Sequence, residues 1–159
     1  MASTTTETPA AEELTPAELA AWRGLLRVHA ALFKGLDDEL ERDHGLPLSS
    51  YEVLIYLRSA PDRRLRMADL ADRVLLSRSG MTRLVDRLER EGLLTRATCS
   101  KDARGCYAVL TDEGDAFLDR ARPTHLRGVR ERFLRHFSPA ELEQLGRFWD
   151  RIVPEATKT

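Results

Sequence analysis

The spacing of apolar residues changes at Gly92 from the period of a helix to the period of a strand. Before Gly92, four apolar residues recur every three or four positions, which places them on one face of a helix. They are Met81, Leu84, Val85 and Leu88. After Gly92, apolar and polar residues alternate over residues 93–98 and again over 106–110, as they do in strands. The charged segment 100–105 lies between these strands, so a helix followed by one antiparallel hairpin is predicted.

Two short helices are predicted before this hairpin. The first runs from Met67 to Val74 and follows Leu65-Arg66, which could form a two-residue edge strand. The second begins after Ser77, whose hydroxyl can cap the first turn. It ends at Gly92, because glycine tolerates the left-handed conformation that closes many helices. The predicted order is therefore helix, tight connection, helix and hairpin.

Longer helices are predicted on both sides of this segment. The first begins after Thr15, where Glu18 completes a capping box, and it ends before Gly45 with Asp37 pointing away from its apolar face. Three further helices are predicted from their capping residues. These residues are Ser49 for a helix that stops at Ala60, Thr111 for the next long helix, and Ser138 for the last. Pro123 is expected to kink or interrupt the helix that follows Thr111.

The composition fits one globular domain. The chain has 159 residues, of which 42% are hydrophobic and 32% are charged, so its apolar content is too high for general disorder. Residues 1–13 have no apolar periodicity and are predicted to form a disordered tail. The two cysteines, and the lack of the run of about 18 apolar residues that a membrane helix needs, argue against secreted, membrane and disulfide-stabilised proteins. A reducing cytoplasm is the expected location.

Positive charge is concentrated in the middle of the chain. Residues 63–104 hold eleven Lys and Arg against six Asp and Glu, whereas residues 1–62 hold five against eleven. The basic segment coincides with the two short helices and the hairpin. A helix can enter the major groove of DNA when its outward side chains are short or hydrogen-bonding and positive charge is available for phosphates.

The order of helix, turn, helix and wing resembles the MarR family (multiple-antibiotic-resistance regulators). The family signature is Asp-x-Arg in the wing and Leu-Thr-x-x-Gly at the start of the next helix. Here these positions are Asp102, Arg104, Leu110, Thr111 and Gly114, and the resemblance extends over residues 14–153. It implies a mainly α fold with a small β-hairpin wing, that is, a winged helix-turn-helix with N- and C-terminal dimerisation helices.

The resemblance also implies a division of labour along the chain. Residues 61–111 would form the DNA-binding winged helix-turn-helix, and residues 14–60 and 112–153 the helical dimerisation region. The implied function is that of a sequence-specific regulator of transcription, a homodimeric repressor that binds a palindromic operator in double-stranded DNA and is released by a small molecule. A rival interpretation is a helical protein-interaction dimer that keeps this fold without binding DNA.

The outward side chains of the second short helix suit contacts with DNA. Arg78 and Arg83 could each bond O6 and N7 of a guanine, and the hydroxyls suit phosphates or short base contacts. Arg87, one turn further on, suits the DNA backbone. The alternative is a solvated surface on which the arginines pair with Asp86 and Glu89. The predicted DNA contacts of this helix are Ser77, Arg78, Ser79, Thr82, Arg83 and Arg87.

The wing is predicted to contact DNA beside this helix. By the resemblance, Arg104 enters the minor groove and Asp102 holds Arg104 in its rotamer, while Gly105 suits a turn with positive φ. Lys101 is predicted as an accessory phosphate contact. Ordinary hairpin-tip chemistry is the alternative for Asp-x-Arg.

Apolar residues of the first helix and of the last two helices exceed what one small DNA-binding unit could cover. This excess predicts a homodimer, so the expected partners are duplex DNA and a second copy of the chain. By the resemblance, a small aromatic or carboxylated effector is a further expected partner. Its candidate contacts are Trp22, Arg27, His29, His44, Tyr51 and Tyr56, although packing within the core is the alternative for each.

No pattern for a metal, a cofactor or a reaction is found in the sequence. The four histidines are scattered, and no nucleophile with a base or glycine-rich phosphate loop is present. The chain is therefore predicted not to be an enzyme. Cys99 and Cys106 could face each other across the hairpin, and a reversible disulfide there is the alternative to two reduced thiols.

Overall fold

The computed structural model describes residues 13–74, 76–99 and 102–154, without the side chains of residues 98, 99 and 102–105. Apart from Glu13, the tail predicted for residues 1–13 therefore lies outside the described residues. The chain divides into two compact units, Met1–Ala31 and Leu32–Thr159. The first unit contains the N-terminal half of the first helix, and the second contains the other elements.

The order of elements confirms a mainly helical fold with a small antiparallel sheet. Single-turn 3₁₀ helices at Pro61–Arg63 and Leu134–His136 supplement the main elements. These main elements are α1 (Pro16–His44), α2 (Leu48–Ser59), β1 (Arg64–Arg66), α3 (Met67–Val74), α4 (Arg78–Arg90), β2 (Leu94–Cys99), β3 (Asp102–Leu110), α5 (Asp112–Arg132) and α6 (Pro139–Ile152).

Four of the predicted helix starts are confirmed by their capping hydrogen bonds. The Thr15 hydroxyl accepts from the Glu18 amide at 3.3 Å and opens α1. The Ser77 hydroxyl accepts from the Gly80 amide at 3.1 Å, and the Thr111 hydroxyl from the Gly114 amide at 3.0 Å. Ser138 and Glu141 form the predicted capping box of α6. These helix starts could be predicted from the sequence because each capping hydrogen bond joins residues only three positions apart.

The predicted start of α2 is wrong. The helix begins at Leu48, no side chain caps it from the neighbouring positions, and Ser50 is buried inside it. The Leu48 amide instead donates to the Asp37 carboxylate of α1 at 2.7 Å. Asp37, which was predicted to face away from the apolar stripe of α1, thus supplies the acceptor that the N-terminus of α2 needs.

Helix α5 continues through Pro123, so the predicted interruption is wrong. Proline removes one backbone donor from a helix. Here Pro123 is exposed, and its neighbours Ala121 and Thr124 are buried on the opposite side. Packing of the flanking turns against the core is consistent with the continuity of the helix.

The three strands form one antiparallel sheet in the order β1-β3-β2. Arg66 lies opposite Tyr107, and Thr98 lies opposite Cys106. A register shift between Thr98 and Cys99 then places Cys99 opposite Asp102. The two cysteines are therefore not directly opposite each other, and β3 begins at Asp102, so it includes Gly105, which was predicted to lie in a turn.

The core lies between the helices of the second unit and the inner face of the sheet. Its fully buried side chains come from the C-terminal part of α1, from α2, α3, α4 and α5, and from β2 and β3. Each buried leucine stabilises the fold by about 2 kcal/mol relative to an exposed one. Representative members are Leu54, Leu57, Leu70, Val85, Leu88, Leu94 and Leu118. This core holds α3, α4 and the sheet against one another, and thus fixes the helix-turn-helix and its wing.

Candidate nucleic-acid interface

Helix α4 has one buried face and one exposed face. Met81, Val85 and Leu88 are buried, as the apolar period predicts. The opposite face is exposed and holds most of the predicted DNA contacts, namely Ser77, Arg78, Ser79, Thr82 and Arg83. At the N-terminal end of this face, Arg78 and Thr82 also border a groove of about 370 Å³ between α3 and α4. The structure thus brings these five side chains together on one surface.

The hydroxyls on this face are ordered by the helix itself. Ser77 caps the helix and lies 3.2 Å from the Ser79 hydroxyl. The Thr82 hydroxyl donates to the Arg78 carbonyl at 2.9 Å. A serine or threonine hydroxyl that donates to the backbone can still accept a hydrogen bond.

Arg78 and Arg83 are available to a partner. Both are exposed, and within the described part of the chain neither guanidinium takes part in a salt bridge or a side-chain hydrogen bond. The alternative in which they pair with Asp86 and Glu89 is not observed, because both carboxylates are bound to Arg96. The arginine charges at the start of α4 are therefore not neutralised by the acids on the same helix.

Arg96 connects the wing to α4. Its guanidinium contacts Asp86 and Glu89 at 2.5 Å each, and its backbone amide donates to Glu89 at 3.0 Å. Burial acts to lower the pKa of Arg96, but the hydrogen bonds and charges of the two carboxylates outweigh it and raise the pKa. Sequence reasoning missed this role, since the three residues are seven and ten positions apart on different elements.

Arg87 has partners that the sequence did not predict. Its guanidinium donates to the Gly45 carbonyl at 2.9 Å and to Glu91 at 3.1 Å. Gly45 follows the end of α1 and has a positive φ of 74°. Arg87 thus connects the last turn of α4 to the connection between α1 and α2.

The wing residues are only partly described. Lys101 lies outside the described residues, and Asp102 and Arg104 belong to β3 with side chains that are likewise outside the description. What the backbone fixes is their position near the start of β3, where the strand leaves the turn.

A second cationic group lies on β1 and was missed by sequence reasoning. The Arg64 guanidinium stands 4.4 Å from the centre of the Tyr107 ring, and that of Arg66 stands 5.5 Å from it. The Arg66 Nε also donates to the Tyr107 hydroxyl at 3.1 Å. The signal was the alternation of arginine, leucine and arginine in a strand, which places both arginines on one face of the sheet.

Two of the candidate effector contacts line one cavity. Tyr51 and Tyr56 border a cavity of about 170 Å³ together with Glu52, Ile55 and His125. An adjoining cavity of about 360 Å³ shares Tyr51 and His125 and adds Arg58 and Arg122. Tyr51 and His125 pack with ring centres 4.7 Å apart.

The polar groups of these cavities are perturbed by burial. Desolvation raises the pKa of Tyr51, although the charges of Arg122 and Arg58 oppose it. Desolvation lowers the pKa of His125, whose buried Nδ1 has no hydrogen-bond partner among the described atoms. His125 was not among the candidates from sequence, because a histidine in a helix gives no sign of which cavity it borders.

Of the other four effector candidates, one belongs to the second unit and three belong to the first. The His44 Nε2 is 2.9 Å from the Thr124 hydroxyl, and its ring contacts Phe117 edge-on at 6.2 Å between ring centres. His44 therefore packs within the fold and does not line either cavity. Trp22, Arg27 and His29 lie in the first unit, where all three are exposed on α1.

The described residues contain no group of three or more His, Cys, Asp or Glu that could hold a metal ion. None of the helices in these described residues is both long and apolar enough to cross a membrane.

Two helices joined by a short connection, followed by an antiparallel hairpin, define the class of winged helix-turn-helix proteins. A model described as the MarR family matches residues 44–105. The chain is 36% identical over 124 residues to the HTH-type transcriptional regulator YkoM of Bacillus subtilis, covering 76% of this chain and 79% of YkoM. It is 30% identical over 111 residues to the HTH-type transcriptional repressor YetL of the same organism, covering 68% of this chain and 66% of YetL.

A solved structure of a MarR family regulator is also similar to this chain. The MarR family transcriptional regulator Sco3205 from Streptomyces coelicolor, crystallised in complex with DNA, superimposes with a TM-score of 0.85 at 36% identity, covering 96% of this chain and 94% of Sco3205. The protein belongs to the MarR family of transcriptional regulators. Its relatives are regulators of transcription and not enzymes, which confirms the prediction that it has no catalytic function.

Proposed function

We propose that the protein is a homodimeric repressor that binds a palindromic operator in duplex DNA and releases it when a small molecule binds. The observation that carries this proposal is that two arginines at the start of α4 are available to bind DNA. Arg78 and Arg83 are exposed and unpaired among the described residues, while Arg96 occupies the acids of the same helix. The DNA complex of Sco3205 and the name of the repressor YetL support the same function.

In this proposal, α4 is the recognition helix and lies in the major groove. Arg78 and Arg83 bind base edges, and Ser77, Ser79 and Thr82 bind phosphates or short base contacts. Arg87 combines a contact to the DNA backbone with its hydrogen bond to Gly45, which sets the position of the helix. In the wing, Arg104 enters the minor groove, Asp102 orients it and Lys101 binds a phosphate.

A second copy of the chain is proposed because large apolar side chains are left exposed. In the first unit these belong to α1 and include Trp22, Leu26 and Val28, with about half of each accessible. In the second unit, Phe148, Ile152 and Val153 are exposed at the end of α6. Apolar surface of this kind is typical of an interface, and two DNA-binding units on a two-fold axis match a palindromic site.

The proposed effector site is the pair of cavities at Tyr51 and His125. Arg122 offers positive charge to a carboxylate, whereas Arg58 is already paired with Asp115 and Asp119. Tyr51, Tyr56 and Ile55 offer an apolar wall to an aromatic ring. A small aromatic carboxylic acid fits this chemistry. Because operator DNA is in the cytoplasm, we place the protein there.

The affinity for DNA as a function of salt tests this function. The probe is a palindromic duplex selected by the protein from a random library. If phosphates are neutralised, the logarithm of the association constant falls linearly with the logarithm of the salt concentration, by about 0.9 for each contact. Weak binding to every duplex without salt dependence, by a protein that is folded, would instead favour the rival interpretation of a protein-interaction dimer.

A further inference from the structure

The groove between α3 and α4 has a mostly apolar lining. Helix α3 contributes residues at positions i, i+1 and i+4, and α4 contributes residues at i, i+3 and i+4, so each set lies on one side of its helix. Among the described residues, neither Asp69 nor Asp72 of α3 borders the groove. The groove has a volume of about 370 Å³ and is lined by Met67, Ala68, Ala71, Arg78, Met81 and Thr82.

The apolar side chains of the groove differ in exposure. Met81 and Ala71 are buried, with 1% and 5% of their surface accessible, and Met67 is partly buried against the core. Ala68 is exposed. Methionine is unbranched and flexible, so it can adapt its shape to a group that it contacts. The groove therefore keeps an apolar surface open to solvent between two helices of the proposed DNA interface.

The two polar side chains of the groove lie on α4. The Thr82 hydroxyl donates to the Arg78 carbonyl at 2.9 Å, so it is turned toward the helix backbone, and the methyl is the other group that Thr82 can offer to a partner. Arg78 is exposed, and its guanidinium forms no salt bridge or side-chain hydrogen bond among the residues that the structure describes. In the proposed function, Arg78 binds a base edge. An apolar surface thus lies directly beside a side chain that is proposed to read a base.

This combination suits the methyl group of a thymine. In the major groove of DNA, thymine presents a C5 methyl, and the methyl groups of alanine and threonine are typical contacts for it. A phosphate fits less well, because it would lose water against apolar side chains that offer it no hydrogen bond. Thr82 lies about 6 Å along the helix from Arg78, and base pairs are stacked about 3.4 Å apart. The groove is therefore within two base pairs of a guanine bound by Arg78.

We propose that the groove between α3 and α4 binds the C5 methyl of a thymine within two base pairs of the guanine that Arg78 contacts. This inference rests on the proposed DNA binding of the protein and adds a second specified base to each half-site. Ala68 and Thr82 contact the methyl, and the other apolar residues of the groove form the surface behind it.

Replacing thymine by deoxyuridine tests this inference, because uracil lacks only the methyl group. The probe is the palindrome selected from a random library, with its thymines replaced one symmetric pair at a time. The guanine bound by Arg78 is the one whose replacement no longer affects binding by Arg78→Ala. Fluorescence anisotropy gives the dissociation constants of the wild type, Ala68→Gln and Thr82→Ser. Thr95→Ser is the matched control, because it removes a methyl from an exposed threonine of β2 that does not border the groove.

We expect one symmetric pair of thymines near that guanine to be sensitive to the replacement. Burial of one methyl group strengthens binding about fourfold, so loss of the pair should weaken wild-type binding about 15-fold. 5-Bromodeoxyuridine, whose bromine is similar in size to a methyl group, should restore the affinity. In Ala68→Gln a polar side chain fills the groove, so the loss should fall below about threefold. Thr82→Ser should give an intermediate loss, and Thr95→Ser the same loss as the wild type.

Three results would overturn the inference. The selected half-site could lack a thymine within two base pairs of that guanine, or every deoxyuridine duplex could bind as tightly as the thymine duplex. The sensitivity could also be unchanged in Ala68→Gln and Thr82→Ser, which would place the methyl against another part of the protein. In each case, salt-dependent binding to the palindrome would still support the proposed function, whereas the lack of such binding to any duplex would refute both. Circular dichroism and melting temperature establish that each variant is folded.

Discussion

The guanidinium of Arg96 on β2 is bonded to the carboxylate of Glu89 on α4. The same guanidinium contacts Asp86, one turn earlier on the helix. Strand β2 and helix α4, which we propose lies in the major groove, are thus joined by two charge-assisted hydrogen bonds. Because Asp86 and Glu89 are bound to Arg96, they do not pair with Arg78 or Arg83.

Replacing Arg96 by Met should lower both stability and DNA affinity. Asp86 and Glu89 would keep their charges without a partner, and the side chain of Arg96 is 26% exposed, so we expect a loss of about 1–2 kcal/mol in the free energy of unfolding. Urea unfolding measures it. A double-mutant cycle with Glu89→Gln should give a coupling of about 1 kcal/mol, and additive single effects would contradict the link.

The arginines of α4 and of the wing should differ in how they affect specificity. Arg78→Ala and Arg83→Ala should each reduce the preference for the selected duplex over one with the contacted guanine replaced, by about 1–3 kcal/mol. Arg104→Ala should weaken binding to all duplexes alike. Competition titrations with substituted duplexes measure both, and equal losses on selected and scrambled DNA for all three variants would refute these roles.

Burial of His125 should make the protein less stable in mild acid. Because burial lowers its pKa in the folded state, the unfolded chain binds more protons, so stability falls as the pH decreases below about 6.5. The slope is at most about 1.4 kcal/mol per pH unit. Melting temperatures from pH 7.5 to 5.5 should fall for the wild type and less for His125→Gln. His136→Gln, at an exposed site, is the control, and identical profiles for all three proteins would contradict the assignment.

Local signals in the sequence predicted most of the fold. Capping at Thr15, Ser77, Thr111 and Ser138 and the change of period at Gly92 involve residues a few positions apart, and the structure confirms them. The start of α2 was mispredicted because its acceptor, Asp37, is eleven residues away on another helix. In the candidate site, too, local features could be predicted and tertiary contacts could not. The exposed face of α4 followed from its period, whereas the partners of Arg87 and Arg96 depend on tertiary packing that no periodicity encodes.

A methyl group at Gly114 should destabilise the fold. A side chain there would overlap with the backbone carbonyl of Leu93, which belongs to the segment between α4 and β2 and cannot rotate away. We expect Gly114→Ala to cost about 1–3 kcal/mol in the free energy of unfolding. Gly24→Ala is the control, because nothing lies within 4 Å of that position in the same chain and alanine favours a helix. Equal melting temperatures for Gly114→Ala and wild type would contradict the close contact.

The affinity ratio between the selected palindrome and a scrambled duplex of equal length tests the central claim most directly. The claim is that exposed arginines of α4 read base edges in two half-sites. At physiological salt we expect the palindrome to bind at least about 10³-fold more tightly, with two protomers per duplex. For the Arg78→Ala, Arg83→Ala double variant we expect most of that ratio to be lost. A wild-type ratio near one, or a ratio that the double variant retains, would contradict the account.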